Sequence, residues 1–272
     1  MGKEFAKEWT PGELMAVAGA HLIKDGDIVI CGIGLPEVAT LLAIYTHAPR
    51  AKILMEQGVV EPKPVQFRRG VSMGLADPRE WFRAKCFTDY IDIMGTTLQR
   101  GLVDIGMIGG LEVDKYGNVN STLIGSYNKP LRYFTGSGGA NDIASLAKKV
   151  VVIMRPHELR RFPERVAFIT SPGFISGKGE RERVGLRGGG SWRVITDLAV
   201  LGFDEETCQM KLLAINPKVT VEEVQARTGF KLIIPEKVEL MSPPTIEEQK
   251  IIREILDREG LYTGWKQAAK GS

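Results

Sequence analysis

The chain has 272 residues, 43% of them hydrophobic, enough for one large α/β domain or two small ones with a sizeable core. Its net charge of +3 is too small and too evenly spread to point to nucleic acid. No apolar run reaches bilayer length, and the opening Met1-Gly2-Lys3-Glu4-Phe5 lacks the apolar stretch of a signal peptide, so a cytoplasmic, non-membrane protein is expected.

In chain order, Thr10-Pro11-Gly12-Glu13 forms a capping box with proline at the first helical position, and Leu14, Val17, Ala18, His21 and Leu22 follow at helical spacing. A helix over 11–24 is predicted. Lys24-Asp25-Gly26-Asp27 then turns the chain into the apolar run Ile28-Val29-Ile30-Cys31, of the kind buried on both faces of a parallel sheet. Gly32-Ile33-Gly34-Leu35-Pro36 opens a second helix through Ala43, and the next apolar run closes at Glu56. This β, α, β order predicts an open, mostly parallel sheet with helices on both faces. Further strands are expected at 105–108, 150–154, 166–170 and 194–196, and two more capping boxes, Thr220-Val221-Glu222-Glu223 and Thr245-Ile246-Glu247-Glu248, open amphipathic helices. With no repeat, low-complexity tract or linker, residues 1–272 read as a single domain.

Three cysteines, Cys31, Cys86 and Cys208, are too far apart for a disulfide framework or a CxxC clamp and read as buried reduced thiols. His21, His47 and His157 are isolated, so no metal site is expected. Gly32-x-Gly34 after a strand approaches a dinucleotide fingerprint, but Glu37 occupies the third glycine's place and sets a negative charge where a pyrophosphate would lie. Gly70-Val71-Ser72-Met73-Gly74 matches a serine nucleophile elbow in letters and fails in context, because Arg68-Arg69 precedes it and Pro78 interrupts the helix that should follow. The 173–179 stretch is one residue short of a P-loop.

Glu56 stands where chemistry collects in an open α/β sheet, at the carboxyl end of a buried strand, although a charge there can equally begin a solvated loop. Two clusters rich in glycine and asparagine lie mid-chain, at 109–122 and 135–141. Each can be a set of turns or a site; their backbone N–H groups can hold an oxyanion, and Asn118, Asn120 and Asn141 can orient a carboxylate or an amide.

Met55-Glu56-Gln57-Gly58, the run 113–122 (Val-Asp-Lys-Tyr-Gly-Asn-Val-Asn-Ser-Thr), the run 134–141 (Phe-Thr-Gly-Ser-Gly-Gly-Ala-Asn), Arg160-Arg161-Phe162 and Thr170-Ser171-Pro172-Gly173 together resemble the B (β) subunits of family I CoA-transferases, the glutaconate branch in particular. The resemblance extends from about Thr10 to the C-terminal helix. It implies ping-pong acyl transfer with Glu56 as nucleophile, a glutamyl-CoA thioester intermediate, oxyanion donors at Gly138 and Gly139, and Gly32 and Gly34 beside the acyl group. It also implies coenzyme A thioester as substrate with no tightly bound cofactor, a short (di)carboxylic acid as acceptor, and an A-type partner subunit. Many members carry Ser-Glu-Asn-Gly or Glu-Ser-Gly at the nucleophile, whereas this chain has Glu56-Gln57-Gly58. Arg69 is a candidate cation for keeping Glu56 ionised, or a solvated neighbour of Arg68. The alternatives on this fold are a CoA-thioester hydrolase or decarboxylase, which retention of Glu56 disfavours, and a non-enzymatic effector-binding module, which the lack of a basic helix-turn-helix disfavours.

Overall fold

The computed structural model describes residues 4–62 and 84–268. Arg68, Arg69 and the 70–74 motif lie outside the described residues. The chain divides into two compact units, Met1–Thr97 with Ser242–Ser272, and Leu98–Met241. Among the described residues no helix is long and apolar enough to cross a membrane.

In the first unit, α1 (Pro11–Ala20) begins as its sequence dictates. The Thr10 hydroxyl accepts from the Glu13 N–H while the Glu13 carboxylate accepts from the Thr10 N–H. The helix stops at Ala20 rather than at 24, because Leu22 and Ile23 already bond back to Gly19 and Ala20, and the Asp27 carboxylate captures the Lys24 N–H. Strand β1 (Ile28–Cys31) has the predicted bounds and pairs in parallel with β2 (Lys52–Met55), with Ile28, Val29 and Ile30 opposite Lys52, Ile53 and Leu54. Between them α2 (Leu35–Tyr45) packs against α1. After β2 the chain does not enter another crossover. It folds straight back into β3 (Val59–Val60), antiparallel to β2, and β4 (Cys86–Phe87) pairs antiparallel with β3. The core holds Leu14, Val17, Val29, Ile30, Leu42, Ile53 and Met55, all at most 1% exposed. The C-terminal helix Ile246–Ile251 carries the third capping box, Thr245 with Glu248, and continues as a π-helical turn, Ile252–Leu256.

In the second unit, β5 (Ile105–Ile108) is fully buried. Two small hairpins follow, β6 (Glu112–Val113) with β7 (Val119–Asn120), and β8 (Leu123–Ser126) with β9 (Lys129–Tyr133). Helix α3 (Ala140–Leu146) leads into β10 (Lys149–Ile153), which is parallel to both β5 and β11 (Ser191–Ile195). The sheet continues through β12 (Ala199–Phe203) and β13 (Met210–Ile215) as antiparallel neighbours and ends at β14 (Glu239–Leu240), parallel to β13. The α/β class therefore holds, with parallel pairing at the buried strands β1, β2, β5, β10 and β11.

The expected strand at 166–170 does not form. Its N–H groups find carboxylates instead of a ladder: Val166 donates to Asp114, Ala167 to Glu112, and only Thr170 and Ser171 reach a strand, at the Val119 carbonyl. Cys31 and Cys208 are buried and outside any disulfide, as expected, whereas Cys86 is exposed on β4.

Candidate functional site

Glu56 lies one residue beyond the last residue of β2 and is half-buried. The turn that carries it is closed by the Gly58 N–H donating to the Met55 carbonyl at 3.0 Å, with Met55 and Val59 as the closing pair of the hairpin. Gly58 has φ +101°, and a Cβ there would stand 2.1 Å from the Thr88 carbonyl oxygen, so only glycine makes this turn. The β1–β2 register, continued two places past Ile30 opposite Leu54, runs to Gly32 and Glu56. The glycine loop and the carboxylate therefore follow the carboxyl ends of two adjacent parallel strands. Gly34, φ +101°, caps α2 and lies under the Tyr262 ring. Glu37 is buried in the first turn of α2, and a carboxylate there opposes the anion that a dinucleotide would bring. Next to Glu56, the side-chain amide of Gln57 is buried with neither its oxygen nor its nitrogen hydrogen-bonded among the described residues.

The remaining residues expected at the site, Asn118, Asn120, Gly138, Gly139 and Asn141, belong to the second unit. Asn118 is 1% exposed. Its amide nitrogen donates to Asp114 and to the Ile175 carbonyl at 2.7 Å, and its oxygen accepts from the N–H groups of Gly173 (2.9 Å) and Ile175 (3.0 Å). Asn120 is likewise buried: its nitrogen donates to Glu112 at 2.6 Å and to the Leu123 carbonyl at 2.7 Å, and its oxygen accepts from the Thr122 N–H. Both amides are consumed inside the protein, so they brace loops rather than face a substrate. Asp114 closes the β6–β7 turn by accepting from the N–H groups of Tyr116 and Asn118; burial pushes its carboxyl above the usual range, and these bonds oppose that rise.

The second cluster is clasped to the first. The Gly136 N–H donates to the Ser121 carbonyl at 3.1 Å, and the Ser121 hydroxyl donates to the Gly136 carbonyl at 2.8 Å. Thr170 holds the same place from the other side, its hydroxyl accepting from the Ser121 N–H and bonding the Thr122 hydroxyl at 2.7 Å. Gly138 is exposed at the tip, Gly139 is the N-cap of α3, and Asn141 is exposed in the first turn, accepting from the Ser145 hydroxyl. Gly173 packs so tightly on the Gly117 backbone that a Cβ would meet it at 2.3 Å.

Sequence reasoning missed Arg181, which the alternating charges of Glu180-Arg181-Glu182-Arg183 disguise as part of a solvated turn. It is 4% exposed, and its guanidinium donates to the carbonyls of Pro172, Gly173, Ala144, Ser145 and Gly188, joining the 170–173 segment to the end of α3. Phe162 is fully buried and stacks on His157 at 3.9 Å. A cavity of about 800 Å³, lined among others by Lys149, Trp192 and Arg193, contains none of the residues expected at the site.

The coenzyme A transferase family model matches residues 13–227, a stretch that crosses both units. The chain belongs to this family. It is 40% identical over 255 residues to the B subunit of glutaconate CoA-transferase from Acidaminococcus fermentans, covering 92% of this chain and 93% of that one. It is 34% identical to the B subunit of 3-oxoadipate CoA-transferase from Pseudomonas knackmussii, covering 91% and 93%. The crystal structure of glutaconate coenzyme A-transferase from Acidaminococcus fermentans superposes with a TM-score of 0.86 at 36% identity, covering 96% of this chain and 99% of that one.

Proposed function

We propose that the chain is the B-type subunit of a heteromeric acyl-CoA:carboxylate CoA-transferase that works through a glutamyl-CoA thioester on Glu56. The observation that carries this reading is the carboxylate fixed on a glycine-locked turn at the carboxyl end of a buried parallel strand, beside the Gly32-x-Gly34 loop. A carboxylate is a weak nucleophile, and orientation is the main thing a protein can add. Its attack on the thioester carbonyl forms a carbon–oxygen bond and breaks the carbon–sulfur bond, giving a mixed anhydride and CoA thiolate. The thiolate then attacks the Glu56 carbonyl, releasing the donor acid as a carboxylate and leaving the thioester on Glu56. An acceptor carboxylate repeats the two steps in reverse order and leaves as the new acyl-CoA.

Each tetrahedral species places charge on one oxygen. The N–H groups of Gly138 and Gly139 are assigned as its donors, each worth about 3 kcal/mol in the barrier. Ser121, backed by Thr170 and Asn120, is a positioning residue for that loop, while Asn118 braces the neighbouring 173–175 segment. The Gln57 amide supplies a donor and an acceptor next to the nucleophile, suited to a carboxylate or acyl oxygen. Coenzyme A enters as a substrate, with no tightly bound cofactor. Glutaconate and 3-oxoadipate are the acids named for the relatives, which makes a short dicarboxylic acid the first acceptor to try.

The test is borohydride trapping. The chain, assembled with its A-type partner and incubated with glutaconyl-CoA, is expected to yield a reduced product on Glu56 by mass spectrometry that disappears when acceptor acid is added first. Turnover that releases free thiol or CO₂ without acceptor, with Glu56 unmodified, would overturn the reading in favour of hydrolase or decarboxylase chemistry.

A further inference from the structure

The β8–β9 hairpin is a two-stranded sheet of its own. Such a hairpin is marginal in water unless something covers it, and its outer edges offer unpaired backbone groups. Leu123 is buried, but the other apolar side chains point outward: Leu131 is 83% exposed, Tyr127 64%, Tyr133 63% and Ile124 39%. Tyr127 stacks on Phe168 at 5.6 Å, and Ile169, also exposed, follows Phe168, so apolar side chains at both places add to the exposed surface. Soluble monomers rarely leave such a cluster open. Between Leu123 and Phe134 the sequence carries Lys129 and Arg132 and no carboxylate, and neither cation enters an ion pair among the described residues.

The hairpin is also the segment that joins the two site clusters. β8 begins directly after Thr122, and β9 leads through Phe134 into the Gly136 loop, with the Phe134 N–H donating to the Thr122 carbonyl at 2.8 Å. Whatever seats on the hairpin therefore bears on the loop that ends in Gly138 and Gly139.

We infer that the outer face of the β8–β9 hairpin, centred on Tyr127, Leu131 and Tyr133, is the docking surface for the A-type subunit, which meets it with apolar side chains and carboxylates for Lys129 and Arg132. This rests on the reading of the chain as a B-type subunit. A second copy of this chain is the less suitable occupant, because two such faces would set like charges against each other.

The test titrates the purified chain with the A-type coenzyme A transferase subunit of the same organism in a calorimeter. Leu131→Asp is expected to raise Kd by about thirtyfold or more, with the circular dichroism and melting of the isolated chain unchanged, since Leu131 touches little of its own protein. Leu240→Asp, at an exposed apolar position on β14, is the control and is expected to leave Kd unchanged. Undiminished binding by Leu131→Asp, or an effect confined to self-association of the chain, would overturn the docking assignment alone. Failure of the unaltered chain to bind the A-type subunit would overturn the B-type reading with it.

Discussion

Gly58 decides where the Glu56 carboxylate can be. With φ +101° and the Thr88 carbonyl oxygen 2.1 Å from where a Cβ would stand, Gly58→Ala must push β3 away from β4 or rebuild the turn. A loss of about 3 kcal/mol in urea unfolding is expected, with a fall in kcat for the assembled enzyme. Glu56→Gln separates the two effects: the side chain is half-exposed, so stability should hold while kcat drops by roughly 10⁴-fold or more. Asn118→Leu makes the opposite contrast. It keeps the volume but strands the N–H groups of Gly173 and Ile175 and takes the side-chain donor from the buried Asp114 carboxylate, and is expected to cost about 3 kcal/mol. Glu56 could be found in the sequence because a charge ending an apolar run is a local signal. The bracing role of Asn118 could not, because two of its partners, Gly173 and Ile175, lie 55 and 57 residues away in sequence.

At the level of elements, the first helix shows the same division. Thr10-Pro11-Gly12-Glu13 spells its own start, and the structure has the capping box the spelling requires. Glu13 has a second task that no local pattern reveals. Fully buried, it accepts from Arg253 of the C-terminal π-helical turn at 2.6 and 3.1 Å, fastening the last segment of the unit to its first helix. Arg253→Ala leaves that carboxylate buried with the Thr10 N–H as its one remaining donor among the described residues, so about 3–5 kcal/mol of stability should be lost, whereas the double change with Glu13→Gln should recover part of it in a double-mutant cycle. Local pattern also misreads 166–170, where an apolar run looks like a strand. Its backbone groups are taken by Glu112 and Asp114, two carboxylates supplied from another hairpin, and a competitor of that kind is invisible to periodicity. The strands β12 and β13 escape the same pattern for a related reason: each is only partly buried, and Gly202 and Lys211 break their apolar runs.

For the whole molecule, acid should act on the two units in sequence. In the second unit, burial and then the charge of Arg227 hold His157 down to about 3, and both ring nitrogens are engaged by the hydroxyls of Thr196 and Thr228. The unfolded ring accepts a proton near 6.5, so the unfolded state binds more protons below that pH. The associated stability is complete above pH 6.5 and is lost as pH falls toward about 3. In the first unit, burial raises the Glu248 carboxyl, but hydrogen bonds from His21 and from the N–H and hydroxyl of Thr245 outweigh it and hold the group down to about 2. Its contribution is present above pH 4.5 and lost between there and about 2. Hydrogen exchange followed by mass spectrometry at pH 7, 5 and 4 should show β10 and β11 losing protection first, with α1 and the C-terminal helix following only below pH 4.5. His157→Asn should lower stability at every pH and flatten the upper part of the dependence.

The bonds that join the β8–β9 hairpin to the site loops are made by the backbone at Thr122, Leu123, Tyr133 and Phe134, not by the side chains that face outward. Its outer residues can therefore change without altering a single bond that holds Gly136 or Ser121. In a cell that keeps several paralogous subunit pairs for different acids, that independence lets each pair diverge at the hairpin until cross-assembly stops, while the acyl-transfer machinery is inherited intact. Grafting residues 124–132 from one paralogue to another is then a route to orthogonal pairs with unchanged chemistry.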